Sequence, residues 1–185
     1  MSTWKSLAAG LVASLFSGSV FAGLVGTTFD VAYYLPDSSS IYADASFSPP
    51  TFTVGPGVET IGDVEGVTFL HLDLTDTGIT VDFETRLSNP TWLNAPFNGI
   101  ILTATGPLGV TDPMVDISTL SGFDGSRVSI DGNRILLNWS GLSYVNGNTF
   151  TVSFADVPVS VPEPGSLALL GLGFALVTWR RRAHS

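Results

Sequence analysis

Apolar residues recur at every second position through the middle of the chain, the spacing of a strand that buries one face and wets the other. In 79–84 the residues Ile79, Val81 and Phe83 fall on one side, with Thr80, Asp82 and Glu84 opposite. Leu70, Leu72 and Leu74 repeat the arrangement against Phe69, His71 and Asp73, and 149–154 repeats it again. Ile135, Leu137 and Trp139 line one face of a further strand. Ile100-Ile101-Leu102 breaks the alternation, which predicts a strand covered on both sides.

Turn chemistry separates these runs. Asp131-Gly132 between 127–130 and 133–137 is the strongest hairpin signal, because a type I′ turn needs positive φ and Asp-Gly tolerates it. Asn146-Gly147 is a second turn and Thr75-Asp76-Thr77-Gly78 a third. The stretches 36–40, 48–50 and 55–57, rich in Pro, Gly and Ser, read as loops. No segment of 23–158 carries a capped helical stripe. The pattern predicts an all-β domain over 23–158: a single antiparallel β-sandwich, jelly-roll or immunoglobulin-like in its connections.

The two ends differ from this body. Residues 1–22 have the three parts of a secretory signal peptide: Lys5 as positive flank, an apolar core over 7–16, and Val20-Phe21-Ala22 as a small-residue cleavage site before Gly23. They predict an N-terminal signal helix removed between Ala22 and Gly23. Residues 159–185 hold a linker, Val161-Pro162-Glu163-Pro164, an apolar run over 165–179, and Arg180-Arg181-Arg182. Each proline fixes its own φ and pushes its predecessor toward extended geometry, so 161–164 presents as an exposed, strand-like peptide. At about 1.5 Å per helical residue the apolar run covers somewhat over 20 Å against roughly 30 Å of hydrocarbon. It suits a transient, membrane-inserting hydrophobic helix stopped on the cytoplasmic side by the three arginines.

Val161-Pro162-Glu163-Pro164 followed by Gly165 to Gly173 and closed by Arg180-Arg181-Arg182 resembles the PEP-CTERM sorting signal of Gram-negative bacteria, also catalogued as an ice-binding-protein C-terminal domain. The resemblance implies recognition by an exosortase, a membrane-embedded cysteine transpeptidase-like enzyme that cleaves near the Pro-Glu-Pro site. It also implies association with exopolysaccharide, biofilm matrix or the cell surface. It covers about the last 25 residues, names a delivery route, and leaves the activity of the body to be argued from a site.

Composition sharpens the reading of that body. Residues 23–160 hold 15 acidic side chains against three basic ones, Arg86, Arg127 and Arg134, a formal charge of −12 with no lysine. Such a surface argues against nucleic acid and anionic lipid, both of which need cations to neutralise phosphate. Cysteine is absent, so an exported domain of this kind must be held by its core alone. Its length is enough to bury roughly two-thirds of the unfolded chain's surface.

Candidate chemistry is sparse. His71 is the only histidine between the two ends, with no cysteine nucleophile and no G-x-S-x-G elbow, and it reads as a partly exposed strand residue. Residues 23–160 hold no lysine for a Schiff base and no glycine-rich phosphate loop, so no cofactor is expected. Asp73, Asp82, Glu84, Asp124 and Asp131 keep a glycoside-hydrolase pair open, which needs only two acids about 5 to 9 Å apart. Asp124-Gly125-Ser126 and Asp131-Gly132-Asn133 offer oxygen ligands for calcium but do not fit an EF-hand spacing, and turn formation explains both, so no metal site is assigned. Trp92 lies between Pro90 and Pro96 in a loop, where an indole is costly unless buried or bound to something; sugar stacking and loop anchoring are its two readings. Tyr33, Tyr34 and Tyr42 are candidates for the same surface.

Together these observations predict an exported cell-surface or extracellular-matrix protein, non-enzymatic, acting by adhesion or contact with exopolysaccharide. The expected partners are an exosortase, the secretion machinery, the inner membrane through the C-terminal helix, and exopolysaccharide, with no nucleic acid. The alternative is a small polysaccharide-active hydrolase using paired carboxylates on the same scaffold.

Overall fold

A computed structural model describes residues 23–156. The expected signal helix and C-terminal hydrophobic helix fall outside the described residues. Among the described residues the chain forms eleven strands: β1 (Thr28–Tyr34), β2 (Ala45–Ser48), β3 (Thr51–Thr53), β4 (Val58–Val64), β5 (Thr68–Leu74), β6 (Gly78–Thr85), β7 (Gly99–Ala104), β8 (Val110–Ser118), β9 (Val128–Asp131), β10 (Arg134–Asn138) and β11 (Thr149–Asp156). A 3₁₀ turn at Gly125–Arg127 is the single helical element among them, and no described helix is long and apolar enough to cross a membrane.

The strands build two antiparallel sheets, one ordered β3-β1-β7-β10-β9 and the other β2-β4-β5-β6-β11-β8. Their inner faces share one core. Phe29, Val31, Ile100, Leu102, Ile135 and Leu137 come from the first sheet, and Leu70, Leu72, Leu74, Val81, Phe83, Phe150 and Val152 from the second. The alternation dictates this: in β5 the even-numbered residues from Thr68 to Leu74 are buried, while Phe69, His71 and Asp73 are half-buried on the outer face. In β6 Ile79, Val81, Phe83 and Thr85 point inward, leaving Asp82 and Glu84 exposed. Trp139, just past the end of β10, completes the Ile135, Leu137, Trp139 face with 0% exposure. It meets Phe83 edge-on across the core at 5.4 Å between ring centroids.

Ile101 is 1% exposed although it stands outside the shared core. Its outer-face neighbours in register are Ala32 and Leu136. The loop after β1 lies over this face: Arg134 donates to the Ser38 carbonyl at 3.0 Å, and the Phe97 amide donates to the Pro36 carbonyl at 3.0 Å. A strand covered on both sides needs no polar face, which is why 100–102 reads as an unbroken apolar run.

The turns show one correction. The hairpin at β9–β10 forms, but Asp131 pairs with Arg134, so its two central residues are Gly132-Asn133 instead of Asp131-Gly132. Only Gly132 has positive φ, +61°, the pattern of a type II′ turn with glycine at its first central position. The type I′ geometry occurs at β4–β5, where Glu65 (φ 57°) and Gly66 (φ 68°) are central and the Val67 amide closes on the Val64 carbonyl at 3.2 Å. The turns at Asn146-Gly147 and 75–78 stand where the sequence places them, closed by Asn148 N to Val145 O at 3.1 Å and Thr75 N to Gly78 O at 2.9 Å.

Two glycines provide a test of how closely neighbouring strands are drawn together. A Cβ at Gly99, the first residue of β7, would lie 2.0 Å from the Leu137 carbonyl oxygen, a backbone atom of the paired strand that cannot yield without breaking the ladder. At Gly106 a Cβ meets nothing within 4 Å. Gly99→Ala is expected to cost about 3 kcal/mol or more, at the severe end for single substitutions. Gly106→Ala is expected to be neutral or to stabilise by up to about 1 kcal/mol through the unfolded chain. Urea unfolding midpoints of the two variants measure the contrast.

Candidate functional site

Of the residues singled out in the sequence, Ala22, Val161, Pro162, Glu163, Pro164, Arg180, Arg181 and Arg182 lie outside the described residues. Gly23 is the first described residue and is buried against the turn between β5 and β6. A Cβ there would stand 2.0 Å from Asp76 Oδ1, so any side chain would displace that carboxylate. The same residue fastens the next two amides: Leu24 N donates to the Asp76 carbonyl at 2.7 Å and Val25 N to Asp76 Oδ1 at 3.3 Å.

Three of the candidate carboxylates share one sheet face and the other two stand elsewhere. Asp82 and Glu84 stand on the open outer face of the six-stranded sheet, with Asp73 on the neighbouring strand. Glu84 is 62% exposed and accepts from, or pairs with, His71 Nε2 at 3.2 Å. Asp131 lies in the β9–β10 hairpin of the other sheet. Asp124 caps the 3₁₀ turn, where its Oδ1 accepts from Ser126 N at 2.9 Å and Ser126 Oγ at 2.6 Å. These bonds favour the ionised carboxylate and hold its pKa below the ordinary value. A turn thus accounts for the oxygen cluster at Asp124. Among the described residues no group of three or more His, Cys, Asp or Glu side chains is placed to hold a metal ion.

What the fold does assemble is a cleft of about 220 Å³ at one end of the two sheets. Its walls come from the end of β1, the Glu65-Gly66 turn, the 86–98 loop and Tyr144. The loop is held by a short ladder: Trp92 N donates to the Leu142 carbonyl at 2.9 Å, Tyr144 N to the Pro90 carbonyl at 3.0 Å, and Thr91 Oγ1 meets Ser143 Oγ at 2.7 Å. Beneath it Trp139 Nε1 donates to Tyr33 Oη at 2.7 Å, Tyr33 Oη to Asn98 Oδ1 at 2.6 Å, and Asn98 Nδ2 to the Leu93 carbonyl at 2.8 Å.

Trp92 is 8% exposed and one face of its indole is stacked on Tyr144, 4.5 Å between centroids and 9° from parallel. Tyr33 and Trp139 pack at 5.8 Å and Phe83 at 6.3 Å. The ring therefore anchors the loop in the core, and the face needed to stack a sugar is occupied. Its Nε1 is a different matter: it is buried and has no hydrogen-bond partner, the one such side-chain atom among the described residues. An unpaired buried donor costs about 1–3 kcal/mol.

The phenols around the cleft stay protonated. Tyr33, 2% exposed, is buried too deeply for the anion, which pushes its pKa well up, and burial also raises Tyr144. Tyr42 is half-buried at the rim and donates to Glu65 Oε1; that bond, with some desolvation, pushes its pKa to about 12. Tyr33 is thus a buried hydrogen-bonding strut, not a surface contact, while Tyr42 does reach the cleft. Sequence reading missed Glu65, Leu93 and Asn98. The available signal was Glu65-Gly66, a two-residue turn that had to carry a carboxylate at positive φ.

Residues 160–182 match the family described as the PEP-CTERM protein-sorting motif. No curated protein and no solved structure matches the chain. The motif implies export, processing by an exosortase and sorting to the cell surface.

The Tyr42–Glu65 bond yields a pH prediction. The folded-state pKa of about 12 lies above the ordinary 10.0, so the bond's contribution to stability is whole below about pH 10 and is lost as pH rises toward about 12. Ultraviolet titration is expected to show a phenolate step near pH 12 that Tyr42→Phe removes, and the variant's melting temperature is expected to fall less steeply across that window.

Proposed function

We propose that the chain is a non-enzymatic cell-surface or extracellular-matrix protein whose body, a single β-sandwich, is carried out of the cell to make contact with exopolysaccharide. The observation that carries this reading is the sorting motif at 160–182, which assigns the chain to an export and processing route. The body suits such a place: 15 acidic side chains against three arginines over 23–160 keep it soluble and repel anionic surfaces. Cysteine is absent, so its folding is independent of the redox state outside the cell.

The membrane enters this reading as a temporary station. The apolar run before Arg180-Arg181-Arg182 holds the precursor while the exosortase acts near Pro162-Glu163-Pro164, and the signal peptide leaves at Ala22-Gly23. Asp73, Asp82 and Glu84 stand on an open, solvated sheet face, a poor place to exclude water from a reacting glycosidic bond, which favours binding over hydrolysis.

Replacing Pro162, Glu163 and Pro164 by alanine is expected to accumulate membrane-associated precursor and to abolish the mature C-terminus seen by mass spectrometry. Unchanged maturation and destination would overturn the reading. The exported protein is further expected to co-sediment with the producing cell's polysaccharide without releasing reducing ends; release of reducing ends would establish the hydrolase instead.

A further inference from the structure

We propose that the cleft beside Trp92 is a binding site for one neutral, polyhydroxylated ring, a single hexopyranose unit of a polysaccharide. This rests on the reading of the protein as a polysaccharide contact and names the place and chemical class of that contact.

Among the described residues one buried side-chain donor is unmet. Trp92 Nε1 is buried, lies on a side chain that lines the cleft, and has no acceptor. The polar groups around it are already committed: Tyr33 Oη both donates and accepts, Asn98 holds Leu93, Tyr144 Oη meets Thr68 Oγ1 at 2.8 Å, and Thr91 meets Ser143. No described residue supplies the indole an acceptor.

The remaining walls narrow the ligand. Glu65 is exposed and spends Oε1 on Tyr42, which leaves Oε2 as an acceptor for a ligand hydroxyl. Leu87 and Leu93 are 44% and 63% exposed at the mouth and offer aliphatic surface. A ligand that presents an acceptor, a donor and an apolar C–H face matches this set, and a pyranose carries all three. No lysine or arginine lines the cleft and the body is strongly acidic, so an anionic sugar would enter against the field. A volume of about 220 Å³ lies below the roughly 300–1,000 Å³ of ordinary ligand pockets, which limits the occupant to one ring.

The test uses the exported protein labelled with ¹⁵N at tryptophan, its Trp92 indole cross-peak identified by its loss in Trp92→Phe. The probes are the methyl α- and β-pyranosides of glucose, galactose and mannose, with glucuronate and glucosamine as charged counterparts. At least one neutral glycoside is expected to shift the Trp92 peak saturably, with glucuronate inactive. Affinity is expected to fall about ten-fold or more in Trp92→Phe, which keeps a ring but loses the donor, and in Leu93→Lys, which alters only the exposed rim. A Trp92 peak unmoved by every neutral probe, a response to glucosamine or glucuronate alone, or full affinity in Leu93→Lys would each overturn the proposal. Binding of whole polysaccharide that persists undiminished in both variants would remove the cleft from the contact while leaving the exported-surface reading standing. Failed maturation of the Pro162-Glu163-Pro164 variant bears on that reading alone.

Discussion

A buried relay of three hydrogen bonds, from Trp139 to Tyr33 to Asn98 to the Leu93 carbonyl, is the constraint on which the upper end of this domain depends. It runs from the residue after β10, through β1, into the loop before β7. Each bond adds only about 0.5–1.5 kcal/mol net, but removing one partner strands another buried polar atom at about 1–3 kcal/mol, so the members stand or fall together. The Asn98 backbone closes the arrangement, donating to Asn138 Oδ1 at 3.1 Å and accepting from Trp139 N at 3.0 Å. A long loop that must cross the end of two sheets is thereby fixed at both its polar and its aromatic contacts.

The relay is also what lets a domain without disulfides carry so many large rings. Phe83 touches Trp92, Trp139, Tyr144 and Phe150, and Trp139 in turn meets Tyr33 and Phe150. Aromatic pairs in tilted and edge-on geometry add about 0.5–1.5 kcal/mol each beyond the area they bury. Placing such rings requires that every N–H and O–H among them find a partner. Tyr33, Trp139 and Tyr144 do so inside the core, and Trp92 Nε1 does not.

Much of the fold was legible because period-two alternation is local. β5, β6, β10 and β11 are each written in half a dozen residues, and their inward sets coincide with the buried ones. β8 was not legible: Asp112, Pro113 and Asp116 break the pattern. The strand survives as a sheet edge, paired with β11 through two register shifts and bent at Asp112 (φ 47°), devices that keep an edge from recruiting another chain. The hairpin at β9–β10 was legible but its turn was misplaced by one residue, because glycine adjacent to Asp131 satisfies two turn types and only the pairing register chooses between them. The cleft was beyond local reading altogether. Tyr42, Glu65, Leu93 and Tyr144 come from four separate segments, and no spacing announces that an indole will be buried without a partner. Trp92 stands in a loop, yet its ring serves the core.

The direction of the strands joins the two halves of the functional reading. β5 runs from Thr68, beside the cleft, to Leu74, beside the 75–78 turn, a length of about 20 Å at strand rise. Leu24 and Val25 are fastened to Asp76 in that far turn. β11 leaves the domain at the same far end, since Ser153 pairs with Gly78 and the Phe154 amide donates to the Thr77 carbonyl at 2.8 Å. The segment that leads on to the sorting motif thus departs from the pole opposite the cleft. The order of strands, more than any single residue, therefore sets the cleft and the last described residues at opposite poles.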